Sequence, residues 1–306
     1  MYNEERKLQY ISEKTDGAVV SSNLGDAFVK SEQREIEYGR DICEWTSEEI
    51  LDFYRYYGSR SIQTLVMLHN LLTSYASWCG INGLISDNQN HFLEIKTDAL
   101  CKCVDVNAVN NIIMTRDELL ETIHQFLNMS DRYVFLGLFE GIPLNAIGAV
   151  RLDDLNKNVL TLPDGSTREL SNELVNIMHL TDEEESYMSM AEKRKGIFPY
   201  VDGCNTVLKP FVARKSVEKN AVLIVGNRIR RCIKYCHLSP GITIKSISES
   251  GRIQFIKDKA KEFGIRAEVM ASESQYRIMH EKIYGKVQNM KTFLLIYGDK
   301  LKDDVE

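Results

Sequence analysis

The chain contains no uninterrupted run of about 18 apolar residues, the length a membrane-spanning helix requires, so no transmembrane segment and no membrane partner are expected. Met1 to Lys14 is charged and interrupted rather than basic and then apolar, which reads against a secretory leader. Proline is scarce, with 5 in 306 residues, beside 43% hydrophobic and 27% charged residues; this is the composition of an ordinary soluble globular protein, for which two domains are the prior. The 7 cysteines (Cys43, Cys79, Cys101, Cys103, Cys204, Cys232 and Cys236) are odd in number and scattered. They suit reduced thiols of a cytoplasmic protein better than a disulfide framework.

Cofactor motifs are also missing. Neither GxxxxGK[ST] nor GxGxxG occurs, which removes the basis for nucleotide hydrolysis or dinucleotide chemistry. His280-Glu281 lacks the second histidine of a zincin pair, and Cys232, Cys236 and His237 have no second ligand pair at a suitable spacing. Cys101-Lys-Cys103 is one residue short of a redox spacing. No cofactor and no metal are expected.

What is present is a segregation of charge. The formal net charge is −6, yet residues 205 to 266 hold fourteen basic side chains against four acids, a net +10 that leaves −16 for the rest of the chain. With Asn227 as a cap, a rotation of 100° per residue groups Ile229, Cys232, Ile233 and Cys236 on one helix face. Arg228, Arg230, Arg231 and Lys234 then fill the other, without interleaved acids, as a polyanion-binding face requires. The acid run Asp182-Glu-Glu-Glu185 is expected to decorate a helix N-terminus, and His69 to be a packing residue.

Residues 1–40 lack sustained periodicity and read as a partly ordered lead-in with short helical pieces. Thr46-Ser-Glu-Glu49 is a capping box that opens a helix at about Ser47; a second helix is predicted over 61–79, with Gly80 ending it. Val104 to Asn111, rich in asparagine, reads as a crossing linker, so a helical domain over 41–108 and a second domain over 109–306 are expected. A second capping box, Thr115-Arg-Asp-Glu118, opens the latter, and Val159–Leu162, Pro163-Asp-Gly-Ser166 and Thr167–Leu170 spell a hairpin before helix resumes at Ser171.

Thr115 to Asn156 resembles the tyrosine recombinase (phage integrase) family, whose phrase T-x-x-E-L is followed by an apolar helix, TGLRxSELxxLxxxDI and a hairpin; here the phrase reads Leu138-Phe-Glu-Gly-Ile-Pro143-Leu-Asn-Ala-Ile-Gly-Ala-Val-Arg-Leu-Asp-Asp154-Leu. The preceding helices, ending SYASWCGING, resemble that family's helical core-binding domain, so the likeness spans roughly 45 to 300. It implies a mainly α (α+β) fold: a helical core-binding-like domain, then a mostly helical catalytic-like domain with a small antiparallel sheet, the two gripping duplex DNA. It also implies a tyrosine nucleophile assisted by two arginines with lysine and histidine.

Position by position, that machinery is degenerate. Pro143 stands where the first arginine belongs and Ala146 where its acidic neighbour does. The hairpin between Asn158 and Thr167 has no lysine. The H-x-x-R box falls on Lys245 and Ser248, or, with a shifted alignment, could recover Arg252. Tyr284-Gly285-Lys286 resembles the G-H box with lysine for histidine, and Tyr297 lies near the nucleophile position. Several donors worth about 10²- to 10³-fold each are replaced together, so no catalysis is expected.

The expectation is a sequence-specific DNA-binding transcriptional repressor maintaining prophage lysogeny on an inactive recombinase scaffold. Double-stranded operator DNA is its partner, and an antirepressor or other phage protein a further candidate. Lys209, Arg214, Lys215, Arg228, Arg230, Arg231 and Lys234 would contact phosphates, with Lys245 holding one at the former reaction centre. The alternatives are an active, divergent recombinase using Tyr297, and a phage protein-interaction module.

Overall fold

Apolar side chains recur at helical spacing through most of the chain. The computed structural model, which describes residues 1–14, 18–85, 89–189, 195–201, 203–210 and 217–302, is accordingly helical with two small antiparallel sheets. No helix among the described residues is long and apolar enough to cross a membrane. The chain divides into two units, Met1–Val109 and Asn110–Glu306.

The first unit contains α1 (Glu4–Lys14), α2 (Ala18–Tyr38), α3 (Ser47–Tyr57), α4 (Ile62–Ile81), α5 (Thr97–Cys101) and α6 (Val106–Asn110). The capping box at Thr46 forms as read, its hydroxyl accepting from the Glu49 amide while the Glu49 carboxylate accepts from the Thr46 amide. Residues 1–40 depart from the sequence reading: they form two helices that belong to the core rather than a lead-in. Leu24, Ala27 and Phe28 of α2 are buried, and the Lys7 ammonium lies 2.6 Å from each oxygen of Glu35, a fully buried pair that Ser31 and the Ile42 amide complete. The weak periodicity has a cause, since a buried Lys–Glu pair places charges where a core stripe would be apolar. Helix α4 runs through Gly80 to Ile81, and α6 occupies most of the expected linker.

The second unit contains α7 (Arg116–His124), α8 (Met129–Phe139), α9 (Leu144–Ile147), strands β1 (Leu155–Asn156), β2 (Val159–Thr161) and β3 (Thr167–Glu169), α10 (Asn172–Glu183), β4 (Ser186–Ser189), β5 (Gly196–Pro199), α11 (Val217–Tyr235), α12 (Ile244–Phe263), α13 (Ala267–Ser272), α14 (Ser274–Tyr284) and α15 (Met290–Leu301). The hairpin pairs Leu160 with Arg168 around a turn in which Gly165 takes φ +78°, a conformation that favours glycine. Helix α8 is buried over nearly all its length and is the axis on which α7, α10, α11 and α12 pack.

The closest of these approaches is to α12. A Cβ at Gly251 would stand 1.7 Å from the Phe139 carbonyl oxygen, a backbone atom that cannot move aside without shifting α8. Gly251→Ala is therefore expected to destabilise the unit by about 1–3 kcal/mol or to prevent its folding, measured as a lower urea midpoint.

The acid run is a further correction. Asp182 and Glu183 close α10 at its C-terminus, where negative charge opposes the dipole, instead of opening a helix. Two of its members have partners elsewhere: Glu184 accepts from the Met129 and Ser130 amides at 2.5 and 3.2 Å, capping the N-terminus of α8, and Asp182 faces Lys209.

Candidate nucleic-acid interface

Helix α11 begins at Val217, ten residues before the expected cap at Asn227. Its buried stripe is Val225, Arg228, Ile229 and Cys232, the i, i+3, i+4, i+7 pattern of a core-facing helix with an arginine inside it. Arg228 is only 1% exposed. Its Nη1 donates to Ser130 Oγ at 2.9 Å and Asp131 Oδ1 at 3.0 Å, and its guanidinium lies 4.6 Å from the centre of the Tyr187 ring. Burial alone would lower its pKa, but Asp131, with Tyr200 and Tyr187, outweighs burial and holds it above the ordinary arginine value. Arg228 is thus a core ion pair and leaves the set of phosphate contacts.

The other expected contacts separate. Arg230 and Lys234, one turn apart, are exposed on the opposite side of α11; Arg230 is positioned by the Gly226 carbonyl and the Asn227 side chain, and Lys234 lies near the Tyr235 ring. Arg231 is half-buried, donating from Nε to the Asn227 carbonyl at 3.2 Å and stacking 5.3 Å from the Tyr187 ring centre. Lys209 is turned inward to the Asp182 carboxylate and main-chain carbonyl, so it is a structural tie. Arg214 and Lys215 lie outside the described residues. Lys245 is exposed in the first turn of α12.

Where the sequence resemblance aligns a reaction centre, the 139–143 turn, α12 and the end of α14 converge. Pro143 is the N-cap of the short α9, and Gly141, at φ +83°, lies so close to α14 that a Cβ would be 2.3 Å from Ile283 Cγ2. Arg168 of β3, 6% exposed, fills this space: Nε donates to the Gly141 carbonyl at 3.2 Å, Nη1 to its neighbour Thr167 and Nη2 to the Lys282 carbonyl at 3.1 Å. Arg252 is buried too. Its Nη2 donates to the Tyr284 carbonyl at 2.6 Å, and its Nε is 3.2 Å from Glu249 but misaligned for a hydrogen bond. Tyr284 donates to the Phe139 carbonyl at 2.8 Å.

Both guanidinium groups are therefore committed to the protein's own carbonyls or carboxylates. Ser248 is half-buried on α12, and Lys286 is exposed just beyond α14. Tyr297 packs on Phe293, ring centres 5.0 Å apart, and burial pushes its hydroxyl above the ordinary tyrosine value, with Glu249 adding to the effect.

Two features escaped the sequence reading. Arg168 was legible only as the inward residue of a three-residue exposed–buried–exposed strand. On the first unit, Lys30 lies 4.0 Å from the Tyr57 ring centre and Arg34 lies 5.2 Å from that of Tyr56, an exposed tyrosine; the i, i+4 cations of α2 were the available signal.

Among known proteins, the chain is 28% identical over 208 residues to the SPbeta prophage-derived uncharacterized protein YopR of Bacillus subtilis (strain 168), a match covering 64% of this chain and 62% of that protein. Two solved structures align at low similarity: a lambda integrase(75-356) dimer bound to a COC′ core site (TM-score 0.39, 11% identity, 96% of this chain and 93% of that one) and XerA recombinase (TM-score 0.36, 10% identity, 97% of each). Residues 1–80 match the family described as the MrpR N-terminal core-binding domain, so the first unit is similar to that domain and the chain to a prophage-derived protein.

Proposed function

We propose that this protein is a sequence-specific DNA-binding repressor that maintains a prophage, on a recombinase-like scaffold whose reaction chemistry is not used. The observation that carries the reading is the pair of exposed cations on α11, Arg230 and Lys234, on a helix whose opposite face is anchored in the core by Arg228 and Asp131. A rigid helix presenting cations without interleaved acids suits a phosphate backbone. Lys245, beside the positive end of the α12 dipole, adds a third contact. The likeness of residues 1–80 to a core-binding domain and of the chain to a prophage-derived protein support the setting.

Three features favour binding without cleavage. Proline stands at 143, Arg168 and Arg252 are engaged internally, and Tyr297 is held away from the phenolate a nucleophile needs. The test is to mix the purified protein with fragmented host and prophage DNA, elute with salt, and then treat the remainder with SDS. A few discrete sites recovered wholly in the salt fraction are expected, with Tyr297→Phe leaving that recovery unchanged. A covalent adduct that Tyr297→Phe abolishes would establish an active recombinase instead, and no enrichment in either fraction would turn attention to a protein partner.

A further inference from the structure

Two thiols meet in the core of the first unit. Cys43 lies in the single turn Ile42–Glu44, and Cys79 lies on α4, one turn beyond Tyr75. They are 1% and 0% exposed, and the Cys43 thiol donates a hydrogen bond to the Cys79 sulfur. Asp41 fixes this meeting. Its carboxylate accepts from the Cys43 amide at 3.1 Å and from the Tyr75 hydroxyl at 3.1 and 3.2 Å, which ties the turn to the face of α4 that carries Cys79. Sulfurs in hydrogen-bond contact, on segments already held together, need little backbone movement to bond. Arg6 stands over the pair: its Nη1 lies 4.0 Å from Cys43 Sγ and 3.7 Å from Asp41, and its side chain, 25% exposed, marks the way in from solvent.

The two sulfurs are not equivalent. The hydrogen bond from Cys43 holds the Cys79 thiol below the ordinary cysteine range against the opposing effect of burial, and the Tyr75 hydroxyl and Arg6 act in the same direction. The same hydrogen bond raises Cys43, with burial and Asp41 adding to it. A thiolate is the nucleophilic form of cysteine, and here its neighbour keeps a proton. We propose that Cys43 and Cys79 form a peroxide-sensitive dithiol, which hydrogen peroxide converts reversibly into a disulfide. The Cys79 thiolate attacks one oxygen of the peroxide; the O–O bond breaks, hydroxide leaves, and Cys79 becomes a sulfenic acid. Cys43 then attacks the Cys79 sulfur, the S–O bond breaks, and the sulfenic hydroxyl departs as water with the Cys43 proton. In sum, two thiols lose two electrons and two protons, and one peroxide gives two waters. The new bond joins the turn to α4 and closes the chain between residues 43 and 79.

The test treats the full-length reduced protein with hydrogen peroxide, quenches with N-ethylmaleimide at intervals, and maps the peptides by mass spectrometry without reduction. A cross-linked pair of peptides carrying Cys43 and Cys79 is expected. It should form at least about tenfold faster than Cys103 is oxidised, because burial raises the Cys103 thiol above the ordinary cysteine range. Dithiothreitol should then return both thiols by exchange.

Cys43→Ser should leave Cys79 to stop at the sulfenic acid, trapped as a dimedone adduct, whereas Cys79→Ser should leave Cys43 unreacted. Should either variant fail to fold, the map of the unsubstituted protein decides alone. Loss of the pair no faster than loss of Cys103, a disulfide formed between other cysteines instead, reaction only in urea that unfolds the chain, or equal dimedone trapping in the two variants would overturn the inference. No DNA enters these readouts, so failure here and failure of the repressor reading are distinguishable.

Discussion

Reversing two charges on α11, in the double variant Arg230→Glu with Lys234→Glu, is expected to lower affinity for the recovered DNA sites roughly 10²-fold at physiological salt. The same variant should make the salt dependence shallower, its log–log slope falling by about 2 as two phosphate contacts are lost. Both side chains are exposed, so folding stability should stay within about 0.5 kcal/mol of the parent protein. Fluorescence anisotropy across a salt series reads affinity and slope together. Unchanged affinity would show that the interface lies elsewhere; the Lys30 and Arg34 cluster of the first unit would be examined next.

Arg228 makes the opposite prediction, although it belongs to the same basic run. Arg228→Ala leaves Asp131 buried without its counter-charge and is expected to cost about 3–5 kcal/mol, a large part of the stability of a domain. The loss should appear as a lower urea midpoint, while the folded fraction keeps its DNA affinity, because the side chain reaches no solvent. Arg228→Met combined with Asp131→Leu removes both charges and should recover most of the loss, since an apolar pair of similar volume replaces a desolvated ion pair at little cost. Recovery will be incomplete, because Asn128 and Tyr187 also donate to Asp131. If Arg228→Ala weakened DNA binding without destabilising the protein, the assignment of Arg228 to the core would fail.

The contrast between Arg228 and Arg230 also shows where pattern reading stops. On a helical projection Arg228 lies about 40° from Cys232, close enough to join the buried face, and its place three residues after Val225 was a usable sign. Burial of an arginine nevertheless needs a particular carboxylate at a particular place, and Asp131 comes from α8, ninety-seven residues away along the chain. Lys7 and Glu35 present the same difficulty within the first forty residues: each weakens the apolar periodicity of its own helix, and only their meeting makes the segment part of the core.

Local rules sufficed wherever the deciding atoms are close in sequence. The capping boxes at Thr46 and Thr115, the hairpin about Gly165 and the helix after Ser171 each depend on groups within a few residues, and the chain alone determined them. It determined equally that guanidinium is missing at position 143 and that cations concentrate over residues 205–266. Tertiary structure alone decided which of those cations face solvent, that Glu184 caps a helix other than its own, and that Arg168 and Arg252 spend their donors on carbonyls of the converging turn and α14. The physical reason is that burying a charge is costly unless a partner is supplied, and in these cases the partner comes from a distant part of the chain.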